Sequence, residues 1–250
     1  MKDRDAFTEL GYELLKGFFS GTEIDGIREI VLDANHHWIS RNQPALEKGA
    51  INSAYLTAPD YCLTETGRSA LFQFIALDKI VDLASVLIGR APCFLNTQLF
   101  FNPRSRDRKP YWHRDIQYSG LPEEKQKEAI FQDSVLHFRV PLSGDPGLDF
   151  IPGSHRRWDT REERKVRLEL DGRRSHESLP NMERVPHEPG DLLVFSAHVL
   201  HKGVYGGNRL SLDILFASFK ESPDSVKTNG HFPNEKILSE IKNRRIFALK

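Results

Sequence analysis

Near residue 92 the hydrophobic pattern changes period, and that change limits the folds open to this chain more than any other feature. Before it, apolar residues recur at helical spacing. Ser20 and Glu23 stand at capping-box distance ahead of Ile24, Ile27, Val31 and Ala34, which form one apolar helix stripe. A second helical region spans about 69–88, with Ile80, Leu83, Ala84 and Leu87 on one face and Gly89 placed to end it. After residue 92 come short runs rich in β-branched and aromatic residues, "CFLNTQLFFNP", "DSVLHFRVPLS", "LDFIPGSH", "KVRLEL", "DLLVFSAHVLHKGV" and "RLSLDILFASF", parted by Pro, Gly and Asp turns. Many strands without helical crossovers predict a sandwich, barrel or jelly roll. The N-terminal helices, whose stripes need a cover, are expected to pack on the outside of a sheet.

No Pro/Ser/Gly-rich linker marks the change of period, so one domain is expected over residues 1–250. It divides into a helical buttress (1–91), a β core (92–220) and a C-terminal extension (221–250). A chain of 250 residues, 39% hydrophobic, can bury a substantial core. The most polar stretch, "RRWDTREERKVRLELDGRRSHES", reads as an exposed excursion or lid. Thirty-five basic residues balance thirty-five acidic ones, so no global field draws in nucleic acid or an anionic membrane, and the cluster Arg104, Arg106, Arg108, Lys109 reads as a solvated loop. No run approaches the ~18 apolar residues of a membrane span. Two cysteines, Cys62 and Cys93, cannot frame a disulfide scaffold, and the opening "MKDRDAFTEL" has no apolar signal segment, so a reduced cytoplasmic protein is expected. Nothing points to an obligatory protein partner.

The stretch "YWHRDIQYSG" holds His113 and Asp115 two residues apart, and in an extended strand such residues face the same side. Alone, the pair is equally an ordinary polar strand detail. A third ligand would have to come from another strand of the β core, where His137, His155, His176, His187, His198 and His201 follow. In "PGDLLVFSAHVLHKGVYGGNRLSLDILF" a turn leads into a strand ending at His201, a glycine-rich return follows, and Arg209 and Ser211 share a face at the start of the next strand. Two imidazoles and a carboxylate form a facial triad that leaves coordination positions open, the pattern of non-haem Fe(II) oxygenases. A structural zinc site would close its coordination and favour cysteine. An arginine and a serine beside the triad would suit a metal-chelating acid whose far carboxylate needs a cation.

In order along the chain, "DAFTELGYELLKGFFSGTEIDGIREIV", "YWHRD", "GLDFIPGSH" and "PGDLLVFSAHVLHKG" resemble the phytanoyl-CoA dioxygenase family of Fe(II)/2-oxoglutarate-dependent oxygenases. The resemblance implies a double-stranded β-helix, or jelly roll, with N-terminal helices packed on one sheet, and a site using Fe(II), 2-oxoglutarate and O2 on a small-molecule substrate. It implies His113, Asp115 and His201 as metal ligands, and Arg209, helped by Ser211, as the anchor of the 2-oxoglutarate C5 carboxylate. The interval from His201 to Arg209 is shorter than is usual in the family, and the competing reading gives Arg209 a surface ion pair with Asp213. Halogenating members carry a small residue in place of the aspartate, so Asp115 implies oxygen transfer: 2-oxoglutarate is decarboxylated to succinate and CO2 while a substrate C–H bond is hydroxylated. Desaturation, epimerisation, cyclisation and a non-catalytic metal or 2-oxoglutarate sensor are the alternatives.

Further residues carry expectations of their own. Gln98 precedes the metal motif on an adjoining strand and is expected to touch 2-oxoglutarate or substrate, against a plain hydrogen-bonding role. His155, in the Gly-Ser-His turn, is expected near the site's mouth, and Arg139 would meet an anionic substrate or form an internal salt bridge. Trp112 alternates away from His113 and should pack. His198 should face away from His201, and His36 and His37 read as surface or capping residues. Substrate selectivity is expected in "YSGLPEEKQKEAIFQDS" and in the charged excursion over 156–177.

Overall fold

A computed structural model describes residues 4–54, 56–57, 64–89, 92–132, 134–218 and 231–247; Cys62 and residues 221–230 of the expected C-terminal extension lie outside them. Among the described residues nine strands form two antiparallel sheets. In chain order they are β1 (Tyr12–Leu15), β2 (Asn52–Ala54), β3 (Cys93–Phe101), β4 (Ser134–Pro141), β5 (Asp145–Phe150), β6 (Glu183–His187), β7 (Leu192–Ser196), β8 (His201–Gly203) and β9 (Leu210–Ser218). The large sheet runs β1-β7-β4-β9-β3-β2 and the small one β6-β5-β8. The first ninety residues are thus more than a helical buttress, because β1 and β2 form both edges of the large sheet. Neither sheet closes into a barrel; the pair is the double-stranded β-helix.

Period-two alternation decides what each face of the large sheet meets. Leu136, Phe138 and Val140 of β4 and Leu212, Ile214 and Phe216 of β9 point to the main apolar core. There they meet three of the helices that run, in chain order, α1 (Arg4–Leu10), α2 (Gly21–Arg41), α3 (Gln43–Glu47), α4 (Glu65–Ile75), α5 (Asp78–Ile88), α6 (Glu123–Ala129) and α7 (Arg161–Arg167): the stripes of α2, α4 and α5, joined by Ile237, Ile241, Ile246 and Phe247 from the C-terminal end. The opposite face carries Leu193 and Phe195 of β7, which join Tyr12, Leu148 and Phe150 in a smaller cluster between the sheets. The polar residues of that inner face, among them His137, Arg139, Ser211 and Asp213, are nevertheless buried.

Local chemistry explains where the elements start and stop. The Ser20/Glu23 capping box opens α2. The second helical region is two helices: α4 starts at Glu65 under a Thr64 cap, ends at Ile75, and α5 restarts at Asp78 before Gly89 stops it in the left-handed conformation. Gly147 has φ +112° at a register break in β5, and a Cβ there would lie 2.3 Å from the Val185 carbonyl oxygen, so the bulge requires glycine.

Two strand expectations give way. "KVRLEL" is not a strand: a Thr160/Glu163 capping box opens a helix at Arg161–Arg167, α7, with basic residues in its last turn. The stretch "LLVFSAHVLH" is broken, because β7 ends at Ser196, residues 197–200 turn, and β8 begins at His201 in the other sheet. The whole run is buried, so its hydrophobicity conceals the crossing.

Candidate metal centre

The crossing brings the two halves of the site together. His113 and His201 form an isolated antiparallel bridge, with His113 N donating to His201 O at 2.9 Å and His201 N to His113 O at 3.0 Å. Their rings lie 4.1 Å apart. Arg114 is extended (φ −117°, ψ 139°), and Asp115 opens a short 3₁₀ turn over Asp115–Ser119. The motif is therefore a bridge followed by a turn, not a regular strand, yet His113 and Asp115 still face one side. Asp115 N donates to Ala197 O at 3.0 Å, which ties the carboxylate to the turn that delivers His201.

Ligand atoms of His113, Asp115 and His201 all lie within 4.8 Å of one another. Asp115 Oδ1 is 3.5 Å from His113 Nε2 and 3.8 Å from His201 Nε2. Each imidazole has its Nδ1 on a backbone carbonyl oxygen, His113 on Tyr111 at 3.0 Å and His201 on Val199 at 3.0 Å. A ring that donates its Nδ1–H presents a lone pair at Nε2, the form that binds a metal. Burial pushes both imidazoles below the usual histidine range, His201 to about 3, which favours the neutral ligand form. Although burial opposes its charge, Asp115 titrates below the usual carboxylate range because His137, His201 and His113 surround it. Two neutral imidazoles and a carboxylate, converging on one point, fit a divalent iron ion.

The centre opens on a cavity of about 510 Å³ whose walls include Gln98, Phe100, Arg108, Tyr111, Tyr118, His137, Arg139, Phe195, Tyr205 and Arg209. Its polar wall is the inner face of the large sheet. Arg209 is buried rather than at the surface; its Nε lies 3.4 Å from Asp145 Oδ2, and Ser211 Oγ donates to the same oxygen at 2.6 Å. Asp213 pairs instead with Arg139, which reaches it through Nε at 2.7 Å and Nη2 at 2.9 Å. The internal salt bridge thus takes one edge of the Arg139 guanidinium, through two of its nitrogens. Its Nη1 is buried with no hydrogen-bond partner among the described residues, while the side chain lines the cavity. Gln98 stands opposite Asp213 in the strand register and also lines the cavity.

Other residues fall elsewhere. His155 does not line the cavity: its ring packs on Gly11, where a Cβ would meet Nδ1 at 2.4 Å, and its Nε2 contacts Thr8 O at 3.2 Å. The expected place at the mouth gives way because the Gly-Ser-His turn docks on the N-terminal segment, with Gly153 N bonded to Leu10 O. Trp112 is fully buried and donates Nε1–H to Glu177 O at 2.7 Å. His198 turns away from the ligand cluster, and His36 and His37 are exposed.

The charged excursion is a clamp, not an open lid. Glu163, Val166 and Arg167 of α7 are buried. The fully buried Arg114, between the two metal-motif residues, donates to Asp159 Oδ1 at 2.7 Å, to Ser154 O at 2.8 Å and to His198 O. Arg167 holds the other Asp159 oxygen at 2.6 Å.

Sequence reasoning gave no role to Asp145, weighed His137 only as one of six possible third ligands, and paired Asp213 with Arg209 rather than with Arg139 and His137. His137 Nε2 lies 2.8 Å from Asp115 Oδ2 and its Nδ1 3.0 Å from Asp213 Oδ2. Burial opposes charge on this ring, but the two carboxylates outweigh it and raise its pKa to about 9. The available signal was the alternation His137-x-Arg139 on β4 and Ser211-x-Asp213 on the neighbouring β9, with Arg139 opposite Asp213, polar residues on one face of two strands whose other face is apolar.

A family model described as phytanoyl-CoA dioxygenase (PhyH) matches residues 7–208. No curated protein sequence matches the chain. Among solved structures, HygX from Streptomyces hygroscopicus, with nickel and 2-oxoglutarate bound, is 14% identical with a TM-score of 0.64, the likeness covering 89% of this chain and 88% of that one. EctD from S. alaskensis, with 2-oxoglutarate and 5-hydroxyectoine, is 17% identical with a TM-score of 0.59, covering 86% of this chain and 74% of that one. The epimerase SnoN from nogalamycin biosynthesis, described as non-haem and α-ketoglutarate dependent, is 18% identical with a TM-score of 0.55, covering 86% and 83%. At such identities the structural likeness is one of fold, whereas the family match spans most of the chain. The chain belongs to the phytanoyl-CoA dioxygenase family.

Proposed function

We propose that this protein is an Fe(II)- and 2-oxoglutarate-dependent dioxygenase that hydroxylates a small-molecule substrate, with release of succinate and CO2. The observation that carries the reading is the convergence of His113 Nε2, Asp115 Oδ1 and His201 Nε2 at the wall of a cavity lined by Arg139 and Arg209. Bound iron would supply the redox chemistry that couples decarboxylation of 2-oxoglutarate to oxygen insertion at a C–H bond. His113, Asp115 and His201 would hold the ion, and the cavity beside them would take cosubstrate and dioxygen. Arg209 and Ser211, with Gln98 on the neighbouring strand, take the distal carboxylate of 2-oxoglutarate; Asp145 keeps both of the first two in place until it arrives. Arg139 offers its free Nη1 edge to an anionic group of the substrate, a role that its bond to Asp213 leaves open. Phe100, Phe195, Tyr111 and Tyr118 give the cavity its aromatic wall.

The reading is of one catalytic domain acting in the cytoplasm without a protein or nucleic-acid partner. Among the described residues no helix is long and apolar enough to cross a membrane. Epimerisation is the second reading, because SnoN, of the same fold, is an epimerase. The test is anaerobic loading with Fe(II) and 2-oxoglutarate, followed by oxygen and a substrate panel rich in carboxylates. Succinate release with a product heavier by one oxygen supports hydroxylation, and succinate with an isomeric product supports epimerisation. Metal and 2-oxoglutarate bound without succinate for any substrate would leave a sensor.

A further inference from the structure

The two oxygens of Asp115 look in opposite directions. Oδ1 faces the Nε2 atoms of His113 and His201, whereas Oδ2 faces His137 Nε2 at 2.8 Å. His137 comes from β4, outside the metal motif, and its other nitrogen is held by Asp213 Oδ2 at 3.0 Å. Asp213 in turn is fixed by two bonds from Arg139. The ring also stacks on Phe195, with centroids 4.6 Å apart and planes 18° from parallel, so its tilt as well as its polar edges is set. His137, Arg139 and Asp213 are all buried.

We infer that His137 is a positioning residue that holds Asp115 as a one-oxygen metal ligand, with Asp213 and Arg139 aligning it. An aspartate beside a divalent ion can bind through one oxygen or both. Chelation by both would occupy one of the positions that the two-histidine, one-carboxylate arrangement leaves open for cosubstrate and dioxygen. The imidazole edge 2.8 Å from Oδ2, an ion-pair contact without hydrogen-bond alignment, competes with a metal for that oxygen and keeps the position free. Outer partners of metal ligands commonly tune affinity in this way. The inference rests on the proposed metal site and adds to it a residue for which the metal motif carries no signal.

The test compares wild type, His137→Phe and His137→Gln as full-length protein titrated with Co(II) under anaerobic conditions, with His113→Ala as the control for site occupancy. Phenylalanine keeps the stack on Phe195 and removes both polar edges; glutamine retains an N–H donor of similar reach. His137→Phe should weaken Co(II) binding by about 10–100-fold and change the shape and intensity of the visible Co(II) bands, the signature of an altered coordination number. His137→Gln should recover most of the affinity and the wild-type spectrum. A structural role alone would lower the melting temperature and leave the bands unchanged. Should His137→Phe fail to fold, His137→Asn carries the same comparison with His137→Gln, its amide being too short to span the gap. Co(II) uptake by wild type that is lost in His113→Ala, combined with unchanged affinity and bands in the variant lacking the donor, overturns the inference and leaves the metal site standing. No Co(II) uptake by wild type overturns both.

Discussion

The two faces of the large sheet are built from the same strands, yet they do opposite work. On β4, Leu136, Phe138 and Val140 point to the helices, while His137 and Arg139 between them point to the cavity. On β9, Leu212, Ile214 and Phe216 alternate with Ser211 and Asp213 in the same way. Both faces are buried, so exposure does not distinguish them. What differs is the free energy involved: the helix face gains from every apolar area removed from water, whereas the cavity face must satisfy each buried charge with a partner. Stability accordingly concentrates on one side and reactive geometry on the other.

Changing the ligands gives the largest separation. His113→Ala or Asp115→Ala should weaken Fe(II) binding by more than the ~10–100-fold typical of outer partners, with the thermal midpoint almost unmoved in metal-free protein. Equilibrium dialysis and a denaturation curve on the same preparation provide the check, and retained affinity would refute the assignment of the site. Phe138→Ala is the mirror experiment on the helix face. It should cost about 3–5 kcal/mol of stability, measured by denaturant unfolding, while the protein that remains folded binds metal normally.

Asp213→Asn probes whether the two faces are as separate as this. It leaves Arg139 buried beside a neutral amide, and breaking such a pair typically costs about 3–5 kcal/mol. The double replacement Arg139→Met with Asp213→Leu removes both charges and should recover part of that loss, since an apolar pair of similar volume often replaces a buried ion pair without cost, while His137 stays without its Asp213 partner. It should not recover turnover. A double variant that is both stable and fully active would show that the polar face contributes only stability, and the contrast between the faces would collapse.

How much of this was legible in the sequence follows from the same contrast. The β architecture and α2 were readable because apolar residues at period 2 or 3.6 reflect burial directly, and because Ser20 and Glu23 announce a helix start. The family resemblance rested on compact motifs, in which neighbouring residues such as His113 and Asp115 carry the chemistry together. The roles of His137, Asp145 and Asp213 were not legible, because each acquires meaning only from a partner distant in the chain, Asp115 in the first case and Arg139 in the last. The crossing at 197–200 was hidden by burial of every residue in the run. In α7 the capping box outweighed an apolar alternation whose leucines, Leu168 and Leu170, are in fact exposed.

The smallest expected effect lies farthest from both faces and tests whether the clamp belongs to the site. Thr160 caps α7 through Glu163 N, and Glu163 returns the bond to Thr160 N at 2.7 Å. Removing such a cap costs about 1 kcal/mol. That loss falls on the segment whose Arg167 holds Asp159, and Asp159 in turn holds Arg114 between His113 and Asp115. Two results are distinguishable. If α7 merely covers the protein, Thr160→Ala should lower stability by that amount and leave Fe(II) affinity unchanged. If the clamp sets the spacing of the metal motif, local opening of α7 frees Arg114, and affinity should fall by a factor of less than about 10, since 1.4 kcal/mol is the ceiling that one decade corresponds to. The paired bonds on Asp159 favour the second outcome. Among the described residues Arg114 has no other side-chain acceptor, its remaining bonds being to the backbone carbonyls of Ser154 and His198. Hydrogen exchange of 161–167 with and without Co(II) provides the reciprocal measurement: metal binding should slow exchange there to the same extent that the clamp strengthens the metal site.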